Sequence, residues 1–502
     1  MTDLLATPAY DALVAHHRRL HNLEHVQAIL TWDRMTQMPE AAAPARADAQ
    51  AAFALVLKQV QDDPRVSEWL ATASSEPLAG DASINLARMT RAIGLERALP
   101  PSLVQRRELS TGAAMQAWGR ARQDNDWATF APAWAEVVDV MREVADRTGQ
   151  ALGLSRMDAL LERNEPGLRL ARVLPLFERV LQWLPPLLKR AVARQQASPA
   201  PVEPAGPFPV PAQRALCEQV MRSLGFSFDS GRFDVSVHPF TGGVPEDVRL
   251  TSRFDEANLI FALTSTMHET GHACYQQNLP QQWLGQPLGG PHSASLHEGQ
   301  ALTFERQLAA RPAFWQALTP LLRECFGDQP AFDPTNLLRL VQRVRPGHVR
   351  VSADALTYPL HIVLRMQVEM ALIDGAVEVA DVPALWEERS AALLGIEPSR
   401  SFAEGPLQDP HWVHGMFGYF PTYLLGAMVA AQNMAVMRRD IGDFDDRIAQ
   451  GDWSLMAQWL KSRVWQQGAR RDLDEAMQYA TGSELSDAAL HQQLETCHEY
   501  AY

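Results

Sequence analysis

The sequence predicts a mostly α protein with one small β element, and three observations carry that prediction. Apolar residues recur at helical spacing over long stretches, as in Leu13, Leu20, Leu23 and Leu30 among His, Arg and Glu. Strand-like alternation is confined to Asp234-Val235-Ser236-Val237-His238 and Asp247-Val248-Arg249-Leu250-Thr251. No fixed repeat period stands out, so a solenoid is not indicated.

The Leu13–Leu30 stripe predicts a long helix packed on its own protein rather than a lone partner-binding helix. Helical patterns follow over about residues 45–61, 131–152 and 170–195. Between Pro199 and Pro211 stand six prolines (199, 201, 204, 207, 209, 211), too many for a helix or strand interior. That segment reads as an extended surface connection between two lobes, in preference to a polyproline ligand. A helix over 212–223 comes next. The two alternating runs flank a Gly-Gly-containing loop from Pro239 to Glu246, the pattern of a β-hairpin with a longer loop. Helices are then expected over 257–278, 293–310, 357–374 and 422–440.

Hydrophobic residues make up 46% of the 502, enough for a large core, and 29 Gly with 34 Pro exclude collagen-like or low-complexity architecture. Asp plus Glu exceed Lys plus Arg by 59 to 45, giving a net charge of −14 with His neutral. Such a surface repels phosphate backbones and anionic lipid, which argues against nucleic-acid and membrane partners. Cys217, Cys274, Cys325 and Cys497 are scattered without a C-x-x-C pair, so inert thiols in a reducing compartment are expected. The N-terminus, Met1 to Pro8, lacks the basic and apolar regions of a secretory signal. The longest apolar run, Tyr423 to Met437, is interrupted by Gln432 and Asn433 and is too short to span a bilayer. A soluble cytoplasmic protein is the expectation.

His268-Glu269-Thr270-Gly271-His272 is an H-E-x-x-H string inside a helical segment. Residues i and i+4 share a helix face, so both imidazoles reach one ion, and Glu269 can poise its carboxylate over a water there. Zinc suits such nitrogen and oxygen ligands, although Co2+ or Mn2+ fits the same set. The bare string arises by chance in roughly one such protein in forty, leaving two satisfied helix histidines as the bland alternative. Gly271 inside the helix costs about 1 kcal/mol relative to Ala, which a close backbone approach from a neighbouring element would explain. A hydrolytic site needs a third protein ligand. Glu298 lies 26 residues after His272, enough for a turn, a loop and a returning helix, and is preferred to the adjacent His297.

The ordered strings His238-Pro239-Phe240, Asp247-x-Arg249-x-Thr251, His268-Glu269-x-x-His272 and His297-Glu298-x-Gln300 resemble the carboxypeptidase Taq family of zinc metallocarboxypeptidases. Arg350-x-x-Ala353-Asp354, Gly405-x-x-Gln408-Asp409-x-His411-Trp412 and Gly418-Tyr419-Phe420-Pro421-Thr422-Tyr423 continue the match. Near the N-terminus, Trp32-Asp33-x-x-Thr36-x-Met38-Pro39 is similar as well. The resemblance implies two helical lobes around a deep groove, akin to neurolysin and angiotensin-converting enzyme, with a small sheet beside the metal helix. It implies one domain over 1–502 with its metal site within 230–430. It also implies a homodimer, and removal of single C-terminal residues from peptides with broad specificity.

Carried over residue by residue, the resemblance makes His268, His272 and Glu298 the metal ligands and Glu269 the general base. Arg350 becomes the anchor for the substrate's terminal carboxylate, against a structural ion pair with Asp354 as its alternative. His411 and Tyr423 become oxyanion donors, against simple packing in an aromatic region. His238 is expected to line the groove, whereas Asp247 and Arg249 fit a structural salt bridge at least as well as substrate contact. Ala355, Gly299 and Ala301 depart from the family pattern and put subsite preference and support of the metal ligands in question. The rival readings are an oligopeptidase cutting internal bonds at the same site and a non-catalytic peptide-binding protein.

Overall fold

The computed structural model describes residues 7–502, with Tyr500 in its backbone alone. The reading of the N-terminus as no secretory signal rests mostly on residues 1–6, which lie outside the described residues. Among the rest, no helix is long and apolar enough to cross a membrane.

Helices dominate, and two large apolar cores hold them together. One is built on Trp127–Leu152, Leu170–Ala197, Tyr358–Ile373 and Pro421–Asp440, around residues such as Trp134, Leu184, Leu364 and Phe420. The other gathers Val210–Ser223, the sheet, Leu259–Gln277 and Pro312–Phe326 around Leu216, Leu250, Met267 and Trp315. A smaller cluster, including Tyr10, Leu13, Val66 and Met89, ties the N-terminal helix Pro8–Thr36 to its neighbours. The Leu stripe of that helix is only partly covered: Leu13 is buried, while Leu20, Leu23 and Leu30 are half-buried.

Every expected helix forms, most of them extended by a few residues. The proline-rich stretch is irregular from Pro199 to Pro209, whereas Pro211 sits in the first turn of Val210–Ser223, where its missing N–H costs nothing. The irregular part is tied down by Asn336, which accepts from Val202 N at 2.8 Å and donates to Val202 O at 2.9 Å.

The sheet corrects the hairpin expectation. It has three strands, β1 (Gly231–Val235), β2 (Thr241–Val244) and β3 (Asp247–Ser252), in the order β1-β3-β2. The hairpin joins β2 to β3 across a tight turn with Val244 opposite Asp247, and β1 runs parallel to β3. Two glycines hide β2 from any propensity reading. Gly243 is required: it has φ +112°, and a Cβ there would sit 2.1 Å from the Asp247 carbonyl oxygen.

This sheet also receives the N-terminal motif. Arg232 and Arg249 are paired across β1 and β3, and both guanidiniums stack on Trp32, at 4.9 and 4.6 Å from its ring centre. Asp247 accepts from Arg249 at 2.8 and 2.9 Å and lies 3.2 Å from His25 Nε2. Asp247 and Arg249 are therefore the salt bridge, docking the N-terminal helix on the sheet.

Candidate metal centre

Helix Leu259–Gln277 carries the H-E-x-x-H string and starts on an Asn258 cap that accepts from Phe261 N at 3.1 Å. A π-containing partner helix returns beside it: Ala294–Leu302, capped by Ser293, runs into a π-helical stretch Thr303–Leu308. The two helices meet backbone to backbone. A Cβ on Gly271 would lie 2.4 Å from Gln300 O and 2.6 Å from Ala301 Cα, so glycine is the residue that permits the crossing. Glu298 is brought opposite the two histidines by that contact.

One potential ligand atom from each of His268, His272 and Glu298 lies within 4.8 Å of the others. Glu298 Oε2 is 4.0 Å from His268 Nε2 and 3.7 Å from His272 Nε2. His297 also lines the cavity but is not part of this group: its ring stacks on His272, with centroids 4.4 Å apart. On the far side of His268, Nδ1 lies 2.8 Å from Glu305 Oε2. A carboxylate there fixes the ring orientation and raises the basicity of Nε2.

The charges of the cluster call for a cation. Burial alone would lower His268, but Glu298, Glu305 and Glu269 outweigh it and raise the imidazole to about 10. Burial raises the carboxyls of Glu269 and Glu298, and drives His272 well below its ordinary value with help from His297 and His268. Burial also opposes charge on Glu305, yet Arg306 and His268 hold it at about 2. Two imidazole nitrogens and one carboxylate oxygen, from residues that all line one cavity, are a donor set that fits a divalent ion such as zinc.

That cavity has a volume of about 980 Å³ and is lined by His268, Glu269, His272, Glu298, Arg350 and Tyr423 among others. Glu269 faces it from beside His268, and its Oε2 accepts from Thr241 Oγ1 at 2.6 Å. The edge strand β2 thus holds the carboxylate.

The 405–412 motif holds Arg350, which lines the same cavity. Gln408 Oε1 accepts from the Arg350 backbone N–H at 2.7 Å, and Asp409 Oδ1 accepts from Arg350 Nε and Nη2 at 3.0 and 2.8 Å. The Arg350 guanidinium stacks 5.0 Å from the Tyr423 ring centre. Asp354, the expected alternative partner of Arg350, instead accepts from Leu356 N and Thr357 N in the turn before helix Tyr358–Ile373. Trp412 Nε1 and Gly418 N donate to the buried Glu369, whose carboxyl burial pushes up to about 8.

Two expected site residues are placed differently. His411 is set back from the cavity lining, with Nε2 2.9 Å from Tyr423 Oη and Nδ1 4.0 Å from Asp409 Oδ1. Burial, reinforced by the charge of Arg350, lowers its imidazole to about 4 and keeps it neutral. His238 is exposed and outside the lining, which takes Pro239, Phe240 and Thr241 from that stretch instead. The strand ends at Val235, and Ser236 Oγ donates to the His238 carbonyl at 2.6 Å, turning the chain before it reaches the groove. Among the departures from the family pattern, only Ala355 faces the cavity. Gly299 is filled by Val429, whose Cγ1 lies 2.5 Å from where a Cβ would stand, and Ala301 is fully buried beside Gly271.

Thr241, Glu305, Tyr358 and Tyr419 also line the cavity, and sequence reading assigned none of them a role there. Glu305 alone left a signal, being seven residues, about two helical turns, beyond Glu298.

Comparison with known proteins shows the family and the fold. A family model described as carboxypeptidase Taq (M32) metallopeptidase matches residues 12–497. The chain is 33% identical to thermostable carboxypeptidase 1 of Thermus thermophilus over 474 residues, 92% of each chain. It is 31% identical to carboxypeptidase 1 of Bacillus subtilis over 476 residues, 93% of this chain and 94% of that one. The solved structure of Trypanosoma cruzi metallocarboxypeptidase 1 superposes with a TM-score of 0.96 at 39% identity, covering 98% of this chain and all of the other. Matched by the family model over residues 12–497 and 33% identical to a named carboxypeptidase over 92% of its length, the chain belongs to the carboxypeptidase Taq (M32) metallopeptidase family.

Proposed function

We propose that this protein is a zinc-dependent carboxypeptidase that releases single residues from the free C-terminus of peptides, with broad specificity. The observation that carries the reading is a buried guanidinium, Arg350, in the same cavity as the His268–His272–Glu298 cluster. A cation fixed near a hydrolytic centre selects substrates by a nearby carboxylate, which is what separates an exopeptidase from an endopeptidase.

His268, His272 and Glu298 would hold the metal, with Glu305 orienting His268. Zinc supplies Lewis acidity toward the peptide carbonyl and makes a water nucleophilic near neutral pH. Glu269, held by Thr241, accepts the proton of the attacking water and returns it to the leaving amine nitrogen. Arg350 takes the terminal carboxylate through the side of its guanidinium not engaged by Asp409. Tyr423 donates to the developing oxyanion. His411 acts behind it: protonated at Nε2, it donates to the Tyr423 oxygen and leaves the phenolic proton free for substrate.

The same reading gives one domain over 1–502, with the two apolar cores as lobes on either side of the groove. A homodimer follows from the family resemblance, and a cytoplasmic location is supported by four free cysteines, three of them buried. Exchange of Glu269 for Gln tests the assignment. The variant should bind metal as the parent does and lose nearly all turnover; an active, metal-loaded Glu269→Gln protein would sink it.

A further inference from the structure

Asp409 is shared. While Arg350 donates to its Oδ1, the guanidinium of Arg365 reaches Oδ2 from the other side, with Nε at 2.7 Å and Nη2 at 2.6 Å. Arg365 is fully buried in helix Tyr358–Ile373 and lies outside the cavity lining. Its Nη1 donates to His361 O at 2.8 Å, and its plane stacks on Trp386 and Phe420, at 4.9 and 5.4 Å from their ring centres. Both guanidiniums thus lie over the Phe420 ring, Arg350 at 5.7 Å.

Two guanidiniums on one carboxylate leave one positive charge uncompensated. A fully buried arginine is costly, and a chain that needed only to orient Arg350 could have left Asp409 to it alone. The other carboxyl near Arg365, Glu369, does not cancel the excess: burial raises it to about 8, so it is largely protonated near neutral pH. Tyr358 and Tyr423, which face Arg350, are raised by burial and stay neutral. The surplus charge is therefore presented at the only one of the two arginines that reaches the cavity.

We propose that Arg365 is a positioning residue for substrate: by taking half of Asp409, it keeps Arg350 from being neutralised inside the protein and available to a peptide's terminal carboxylate. This rests on the reading of Arg350 as the carboxylate anchor. Without Arg365 the Arg350–Asp409 pair closes on itself, and a substrate carboxylate must compete with Asp409.

The test is a charge-balance series on the metal-loaded protein, with KM and kcat measured separately on an unblocked peptide. Arg365→Met should raise KM by about ten-fold or more, the scale of one charge-assisted contact, while kcat changes less. Arg365→Met with Asp409→Asn restores the net positive charge and should bring KM back toward the parent value. Arg365→Lys, which keeps the charge, should also lie closer to the parent than Met does. If the Met variant does not fold, Arg365→Gln removes the charge while still donating to Asp409, and carries the same expectation. A KM unmoved by loss of the Arg365 charge, or a double variant no better than the single, overturns the proposal. Arg350→Met separates this from the underlying reading: if it leaves KM unchanged, Arg350 is not the anchor, whereas a large rise in KM there with none at Arg365 sinks only the role of Arg365.

Discussion

Thr241 Oγ1 donates to Glu269 Oε2 across 2.6 Å, joining the edge strand of a three-stranded sheet to the carboxylate beside the candidate metal cluster. The same hydroxyl lies 3.1 Å from the Glu269 carbonyl, so β2 grips the ligand helix at the residue proposed to move the proton.

Removing that hydroxyl is the direct check. Thr241→Val preserves shape and deletes the donor. It should lower kcat by about ten-fold, about 1.4 kcal/mol of barrier, with metal content unchanged. Steady-state kinetics beside metal analysis decides this, and an unaltered kcat would remove Thr241 from the mechanism.

Glu305 should matter to the metal rather than to turnover of the loaded protein. Its carboxylate is 2.8 Å from His268 Nδ1, and partners of this type are worth about 10–100-fold in metal affinity. Competition of Glu305→Gln with a chromogenic chelator should show a loss in that range. Equal affinity in variant and parent would contradict the assignment.

Gly271→Ala sets two effects against each other. Helix propensity favours alanine by about 1 kcal/mol. The new Cβ would lie 2.4 Å from a carbonyl oxygen and 2.6 Å from a Cα of the returning helix, and forcing such backbones apart costs typically about 1–3 kcal/mol. Overpacking should win. The variant should melt below the parent and bind metal more weakly, because Glu298 rides on the displaced helix. A higher melting temperature would show that the crossing yields more easily than its geometry implies.

Glu165 gives a pH signature in stability. It is fully buried, accepts from Ser295 N at 2.8 Å, and burial raises its carboxyl to about 7. Unfolded, the same group titrates near about 4.3. Between those values the native state binds the extra proton, so this stabilising contribution is complete below the unfolded value and is lost as pH rises through about 7. Glu165→Gln should flatten that part of the melting-temperature profile between about pH 4.5 and 7.5. Parallel profiles for parent and variant would contradict the shift.

Much of this was legible in the sequence because it is local. Helices announced themselves by their period, and the ligand pair by an i, i+4 spacing that a helix converts directly into proximity. Glu298 could be reached because the loop after His272 was long enough for one return. What escaped depends on contacts far apart in the chain. The parallel pairing of β1 with β3 leaves no turn signal, and β2 is masked by Gly242 and Gly243. His238 was drawn into the groove by its neighbours Pro239 and Phe240, yet alternation could not show that the strand stops at Val235. Asp354 was the nearest carboxylate to Arg350 in sequence, but Asp409, 59 residues on, is its partner. His411 was given the role of a direct donor, and only the fold shows Tyr423 standing in front of it.

The central claim is that a metal cluster and a carboxylate anchor share one cavity, and it is tested by an unblocked peptide beside its C-terminally amidated twin. Each is incubated with metal-loaded protein, with and without a chelator, and followed by mass spectrometry. The account predicts stepwise loss of single residues from the free C-terminus only, abolished by the chelator. Internal cuts in both peptides would instead make the protein an oligopeptidase and contradict the role given to Arg350.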